Sequence, residues 1–108
     1  MLKVEIWVPI EGYNGWYEIS NQGNIRSIER VVALKDRKQR IINAKTLKTR
    51  QNNCGYTYVR LSMEGKTYTF YVHRLVAEHF IPNPDHLPQV NHKSGDKKNN
   101  SVENLEWV

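Results

Sequence analysis

The 108-residue sequence contains one cysteine, Cys54. A single cysteine excludes an internal disulfide framework and a zinc-ribbon core, since both need several thiol groups. No apolar run approaches the roughly 20 residues that span a bilayer, and the N-terminus lacks the basic segment and apolar core of a secretory signal. We therefore expect a cytoplasmic protein without membrane association.

Large folds are also excluded, because 108 residues form one domain of ordinary size or two small modules that share a core. The composition, with 39% hydrophobic and 25% charged residues, is typical of a folded globular protein rather than a disordered chain. The sequence therefore predicts a small folded protein without a large cofactor-binding domain.

Acidic residues are scarce in the middle of the chain. Residues 24–60 contain ten of the 16 Lys and Arg residues but two of the 11 Asp and Glu residues, so this segment carries a charge of +8 within a chain of net charge +5. A concentrated positive stretch is typical of phosphate binding. A solvated surface loop has the same composition, and charge alone leaves both interpretations open.

The first thirty residues alternate between short apolar runs and turn residues. The runs EIWVPI, WYEIS and NIRSIER predict three strands, and we expect Trp7, Tyr13, Trp16 and Tyr17 to supply much of a small core. Residues 31–53 have little apolar periodicity, which predicts a long loop or a flexible hairpin.

Periodicity returns after residue 55. Residues 56–63 alternate in polarity, a Glu-Gly-Lys turn follows, and residues 67–72 form a second β-rich run, so the sequence predicts a hairpin. An apolar stripe at helical spacing comes next and consists of Val72, Leu75, Val76, His79 and Phe80. We expect this helix to end near Phe80, because Pro82 cannot continue it.

The C-terminal part predicts a strand at residues 88–92, a polar loop at 93–103 and a strand at 104–108. His92, at the end of an apolar strand, can face an open groove and take a proton from water, as phosphodiester hydrolysis requires.

Such hydrolysis also needs a divalent cation, for which oxygen ligands are suitable, and Asn91 offers an amide oxygen. Asn99, Asn100 and Asn104 are further candidates for fixing the loop or holding the base. An Asn-rich loop with one histidine is more often a plain turn, so these residues alone leave the function open.

Three separated motifs, VHRLVAEHF, VNHKSGDKKNN and ENLEWV, resemble the HNH nucleases of phages and group I introns. The N-terminal run WVPIEGYNGWYEISNQGNIRSIER is similar to a module commonly fused ahead of that nuclease motif. The resemblance implies an α+β fold. In it, a small β-rich module with a basic loop, which we expect to bind DNA, occupies residues 1–55, and a hairpin and helix lead into a treble-clef-like ββα-metal HNH unit within residues 56–108.

The resemblance also implies roles for individual residues. In this family the first histidine of the signature is the general base, which corresponds to His92, and the residue before it binds the metal, which corresponds to Asn91. The middle signature residue braces the hairpin and corresponds to Asn104. The third signature residue lies on a helix that follows the LEWV strand, so we expect the unit to be truncated at Val108, before its last helix. The cofactor implied is Mg²⁺ or Mn²⁺, which prefer oxygen ligands.

Double-stranded DNA is the partner that the resemblance and the charge distribution imply. The residues that we expect to contact it are Arg26, Arg30, Lys35, Arg37, Lys38, Arg74, Lys93, Lys97 and Lys98. We interpret His73 as part of a polar helix edge, and His79 as a packed and hydrogen-bonded histidine of the apolar stripe.

The sequence therefore predicts a metal-dependent HNH endonuclease that nicks or cleaves DNA in a bacterial or phage-infected cell. A homodimer, or a partner that completes the metal site, is compatible with this interpretation. The alternative is a catalytically inactive DNA-binding or nuclease-interfering protein derived from such a nuclease. A third reading is a protein-binding regulator that uses the aromatic N-terminal surface, which salt-insensitive binding to a protein would support.

Overall fold

The structure is a computed structural model that describes residues 4–108. Within these residues the chain forms eleven strands and one α-helix, a combination that confirms the predicted α+β class. The elements are β1 (Trp7–Pro9), β2 (Tyr17–Ser20), β3 (Ile25–Ser27), β4 (Arg30–Ala33), β5 (Gln39–Ile42), β6 (Lys45–Thr46), β7 (Arg50–Gln51), β8 (Thr57–Met63), β9 (Lys66–Tyr71), α1 (Val72–Phe80), β10 (Val90–His92) and β11 (Leu105–Trp107). Single turns of 3₁₀ helix lie at Lys35–Arg37 and Val102–Asn104.

The N-terminal sheet has the strand order β1-β2-β3-β6, with antiparallel neighbours throughout. Its inward face is fully closed to solvent at Ile19 and Ile25. Tyr13 and Tyr17 are buried as predicted, and their rings meet edge to face with centroids 5.3 Å apart. The prediction that Trp7 belongs to the core is wrong. Trp7 lies outside the core cluster, and the guanidinium of Arg26 lies 4.0 Å above its ring.

Residues 31–53, for which the sequence predicts a long loop or a flexible hairpin, contain a hairpin followed by two short strands. β4 and β5 form a two-stranded hairpin from the pair Arg30↔Ile42 to the pair Ala33↔Gln39, and β6 then joins the N-terminal sheet beside β3. The hairpin leaves Val31 and Ile41 more than half exposed, at 59% and 60%. The opposite face, which carries Val32 and Ile42, is half-buried.

The predicted hairpin and helix after residue 55 are confirmed. β8 pairs with β9 in antiparallel register and turns Val59 and Leu61 inward. α1 follows β9 directly and buries Val72, Leu75 and Val76 of the predicted stripe. It ends at Phe80, two residues before Pro82, whose ring cannot enter a helix interior.

β10 and β11 form the last hairpin, with His92 opposite Leu105 and Asn91 opposite Glu106. One continuous core joins this hairpin to the rest of the molecule; it contains Ile10, Tyr13, Tyr17, Ile19, Ile25, Val59, Leu61, Val72, Leu75, Val76 and Leu105. Since the core takes side chains from both halves of the chain, the N-terminal sheet and the last hairpin hold each other in place. Over residues 4–108, no helix is long and apolar enough to cross a membrane.

Candidate active site

His92 occupies the last position of β10, where its side chain is buried, with 7% of the residue exposed. Its Nε2 lies 2.8 Å from the side-chain oxygen of Asn100. With the amide in this orientation, Nε2 carries the proton and donates it, because the Asn100 oxygen only accepts. In the neutral ring, Nδ1 is then the nitrogen without a proton.

Asn104 braces the polar loop that follows β10. Its side-chain oxygen accepts from the backbone N–H of Ser94 at 3.1 Å, and its amide nitrogen donates to the carbonyl of Asn99 at 2.9 Å. Its own carbonyl accepts from the backbone N–H of Lys93 at 2.8 Å. Asn104 thus ties both ends of the loop together, whereas the direct hydrogen bond to the His92 ring comes from Asn100.

Asn91 lies next to His92 on β10 and is exposed where His92 is buried. Its amide nitrogen donates to Oε1 of Glu106 on β11 at 2.9 Å. A carboxylate only accepts, so the amide oxygen of Asn91 points away from Glu106. Within residues 4–108, no three His, Cys, Asp or Glu side chains cluster closely enough to hold a metal ion.

His73 belongs to this site, and its interpretation as a polar helix edge is wrong. The residue is buried, with 8% exposed, and its ring centroid lies 4.9 Å from that of His92. Tyr56 packs against both rings: its ring stacks on that of His73, with centroids 5.3 Å apart and the planes at 27°, and its centroid lies 6.2 Å from that of His92. The helical periodicity missed it because His73 lies outside the apolar stripe and is buried by a different surface, formed by Tyr56 and β10.

Burial lowers the pKa of His73 to about 4, with smaller contributions in the same direction from His92 and Arg74. The imidazole is therefore neutral at physiological pH, and its Nδ1 is buried without a hydrogen-bond partner among the described residues. A cavity of about 270 Å³ opens beside it and is lined by Tyr56, Tyr71, His73, Arg74, Gln89 and Val90. Tyr56, Tyr71 and the neutral His73 thus form an uncharged, aromatic surface on one side of His92.

His79 is half-buried and hydrogen-bonded, as predicted for a structural histidine. Its Nδ1 lies 2.8 Å from the carbonyl of Leu75, and its Nε2 accepts from the backbone N–H of Glu11 at 3.1 Å. These contacts occupy both ring nitrogens and attach α1 to the N-terminal module.

Four of the predicted DNA contacts come from α1 and the loop after β10. Arg74 donates to the carbonyl of Pro88 at 3.0 Å, forms an ion pair with Glu78 at 3.5 Å and lies over the Trp107 ring. Lys97 donates to the carbonyl of Cys54 at 2.9 Å, with its ammonium 4.6 Å from the centroid of the Tyr56 ring that stacks on His73. Two further lysines of the loop, Lys93 and Lys98, are exposed.

The other predicted contacts lie on the N-terminal module. The guanidinium of Arg26 pairs with Glu18 at 2.7 Å and covers Trp7, and that of Arg30 lies 4.1 Å from the Trp16 ring centroid. The remaining three residues, Lys35, Arg37 and Lys38, are exposed in the turn between β4 and β5. Both arginines therefore cover aromatic rings, whereas the three turn residues present their charges to solvent.

The chain matches two family models, the NUMOD4 motif over residues 5–62 and HNH endonuclease over residues 70–108. It is 40% identical over 102 residues to the DNA endonuclease I-HmuI of Bacillus phage SP01, a match that covers 94% of this chain and 51% of that enzyme. It is 43% identical over 92 residues to an uncharacterised HNH endonuclease of Acanthamoeba polyphaga mimivirus, which covers 85% of this chain and 24% of the relative.

A solved structure agrees with these sequence matches. It concerns DNA binding and cleavage by the HNH homing endonuclease I-HmuI, and it superposes on this chain with a TM-score of 0.74 at 41% sequence identity. The match covers 95% of this chain and 52% of the other. The chain thus spans about half the length of the phage enzyme and about a quarter of the mimivirus protein.

Proposed function

The chain belongs to the HNH endonuclease family, of the phage homing type with a NUMOD4 motif ahead of the nuclease motif, and we propose that it hydrolyses phosphodiester bonds of double-stranded DNA. The observation that carries the proposal is the hydrogen bond between His92 and Asn100, which leaves Nδ1 of His92 unprotonated at the end of β10. A positioned nitrogen with a free lone pair is what a general base requires.

In this proposal Nδ1 of His92 takes a proton from the attacking water while the water oxygen bonds to phosphorus. The bond between phosphorus and the 3′-oxygen breaks, and the departing 3′-oxygen takes a proton from solvent. The ring becomes an imidazolium during this step. Asn100 stabilises it, since the hydrogen bond from Nε2 to the Asn100 oxygen strengthens when the donor gains charge. The neutral ring of His73 beside it adds no competing charge.

The amide oxygen of Asn91 is a donor of the kind that Mg²⁺ and Mn²⁺ prefer. Asn91 would hold the ion through its amide oxygen, which the hydrogen bond to Glu106 leaves free. A bound divalent ion supplies charge stabilisation to the scissile phosphate and to the departing 3′-oxygen. Asn104 supports the site indirectly, because it fixes the loop that carries Asn100.

The basic residues on the N-terminal module and around the site would contact DNA phosphates. The β4–β5 hairpin is a two-stranded ribbon of a size that the major groove admits, and Lys35, Arg37 and Lys38 lie exposed at its turn. Arg74, Lys93, Lys97 and Lys98 would contact phosphates near His92, and Arg26 and Arg30 would do so from the N-terminal module.

The setting would be the cytoplasm of a bacterial or phage-infected cell. A single active site cuts one strand, so we expect nicking from a monomer and double-strand cleavage from a homodimer.

Plasmid nicking tests this proposal. The purified 108-residue chain is incubated with supercoiled plasmid in Mg²⁺, in Mn²⁺ and in EDTA, beside the variants His92→Ala and His86→Asn. His86 is exposed and has a positive φ of 52° that asparagine tolerates, so this variant is the matched control. We expect metal-dependent nicking that His86→Asn retains and His92→Ala loses.

Two results would change the assignment. Nicking that survives in His92→Ala would remove His92 as the base. Salt-sensitive DNA binding without nicking under any metal condition would indicate the alternative function, a DNA-binding protein without nuclease activity.

A further inference from the structure

Glu106 is the acidic neighbour of the amide that we assign to the cation site. It lies directly opposite Asn91 in the β10–β11 hairpin, and the two side chains project from the same face. Backbone hydrogen bonds on both sides of this pair fix its register, between Gln89 and Val108 at 2.8 and 3.4 Å and from Lys93 to Asn104 at 2.8 Å. The two side chains are therefore held opposite each other by the hairpin itself.

The hydrogen bond between them selects one of two orientations of the Asn91 amide. Rotation by about 180° exchanges the positions of the amide oxygen and nitrogen at almost no change in shape. The Glu106 carboxylate accepts a hydrogen bond at 2.9 Å and cannot donate one, so it stabilises the orientation in which the nitrogen faces it. The oxygen, which is the ligand atom, is then on the opposite side of the amide.

We propose that Glu106 is a positioning residue of the cation site, where its carboxylate holds the Asn91 amide with the oxygen presented to a divalent ion. This inference rests on the proposed function, in which Asn91 is the ligand. No sequence pattern marks Glu106 for this role. Outer-shell partners that orient a ligand typically change metal affinity about ten- to a hundredfold when they are removed.

Mn²⁺ binding by the full chain, measured from the EPR signal of free Mn²⁺, tests the inference without any cleavage assay. The variants are Glu106→Ala, Glu106→Gln, Asn91→Ala and the double variant of Asn91 and Glu106 to alanine. Glu11→Ala is the matched control, since it removes one exposed carboxylate elsewhere on the surface. We expect Glu106→Ala to raise the Kd about tenfold or more, and Glu106→Gln to stay within about threefold of the natural chain, because the glutamine oxygen still accepts from Asn91.

The double variant separates positioning from a direct contact. If Glu106 acts through Asn91, the double variant binds Mn²⁺ as weakly as Asn91→Ala alone and no weaker. The side-chain ¹⁵N–¹H resonances of Asn91 give a metal-free readout, and we expect Glu106→Ala to shift them while Glu106→Gln leaves one proton hydrogen-bonded.

The outcomes are distinguishable. Mn²⁺ binding that Asn91→Ala removes and Glu106→Ala leaves unchanged would overturn the inference and leave the proposed function standing. Equal weakening by Glu106→Ala and Glu106→Gln would also overturn it, since charge alone would then explain the effect. If neither the natural chain nor Asn91→Ala binds Mn²⁺, the proposed cation site fails and the inference fails with it.

Discussion

The imidazole rings of His73 and His92 lie 4.9 Å apart, centroid to centroid, with their planes at 45°. Both residues are more than nine-tenths buried, and the ring of Tyr56 packs against both of them. Two imidazolium rings in such a place would repel each other and lack solvation. The arrangement therefore favours a neutral His73 whenever His92 takes up a proton.

Acidification is predicted to destabilise the fold through His73. The pKa of His73 is lowered from the ordinary value of 6.5 to about 4, so the unfolded chain binds a proton before the folded chain does. The contribution of the neutral His73 ring to the free energy of unfolding is fully present above pH 6.5. It is lost progressively as the pH falls from 6.5 to about 4. At pH 5 the free energy of unfolding should be lower by about 2 kcal/mol from this residue.

Urea denaturation at pH 7.5 and pH 5 measures this difference. His73→Gln removes the titrating ring, so the fall in the free energy of unfolding between the two pH values should shrink by most of that amount. His86→Asn should leave the fall unchanged, because His86 is exposed. A fall of the same size in His73→Gln as in the natural chain would show that His73 is not the responsible group.

The sequence predicts α1 and the β8–β9 hairpin well, because each depends on local periodicity. The alternation around Val59 and Leu61 and the helical stripe around Leu75 are properties of consecutive residues. The sequence does not predict β6 and β7, because each strand has two residues, which are too few to show the alternating polarity of a strand.

The candidate site is less predictable because its contacts join distant segments. His73 is buried by Tyr56 and His92, which come from a different strand and a different hairpin. Glu106 meets Asn91 only when the exact register of β10 and β11 is known. The family resemblance predicts candidate roles for Asn91, His92 and Asn104, but those assignments stay predictions, and it does not indicate the residues packed around them.

Asn100 is predicted to be needed for the nuclease reaction without touching the substrate. Asn100→Ala removes the acceptor of the His92 Nε2 proton, which releases both the tautomer and the ring orientation. We expect the rate of plasmid nicking to fall by about tenfold to a hundredfold, which is less than the roughly 10²- to 10⁴-fold that a general base contributes, because His92 itself remains. Asn100→Asp keeps an acceptor oxygen at the same place and should retain more of the activity.

The comparison of the two Asn100 variants tests the assignment of the His92 proton. Equal loss in Asn100→Ala and Asn100→Asp would argue that the side chain serves packing rather than hydrogen bonding. Circular dichroism of each variant checks that the fold is retained, since Asn100 is buried with 6% exposed.

The turn between β4 and β5 is predicted to contact DNA phosphates. Lys35→Ala combined with Lys38→Ala removes two exposed charges, and the slope of log K against log salt should become shallower by about 2. Fluorescence anisotropy of a labelled duplex at several salt concentrations measures the slope. Lys66→Ala, which removes one exposed charge in β9, is the control, and a change in slope of the same size per removed charge would remove the hairpin from the DNA interface.

Gly23 is predicted to couple the N-terminal module to the active-site loop, which is the polar loop of residues 93–103 that carries Asn100. A Cβ added at Gly23 would lie 3.1 Å from both Cβ and the carbonyl oxygen of Asn100, and its φ of +85° strains any alanine there. Gly15 has a similar φ of +78° but no atom within 4 Å of the added Cβ. Gly15→Ala therefore isolates the backbone strain, about 1–2 kcal/mol, and Gly23→Ala adds the collision with Asn100.

If the coupling is real, Gly23→Ala lowers the free energy of unfolding more than Gly15→Ala does, and it also slows nicking, because the displaced Asn100 no longer holds the His92 ring. Gly15→Ala should cost stability alone. Both quantities are read from the same two purified variants, by urea denaturation and by plasmid nicking under conditions where the fold is retained. Equal nicking rates in the two variants would mean that Asn100 adjusts to the added methyl group, and that the N-terminal module supports the active-site loop without controlling its geometry.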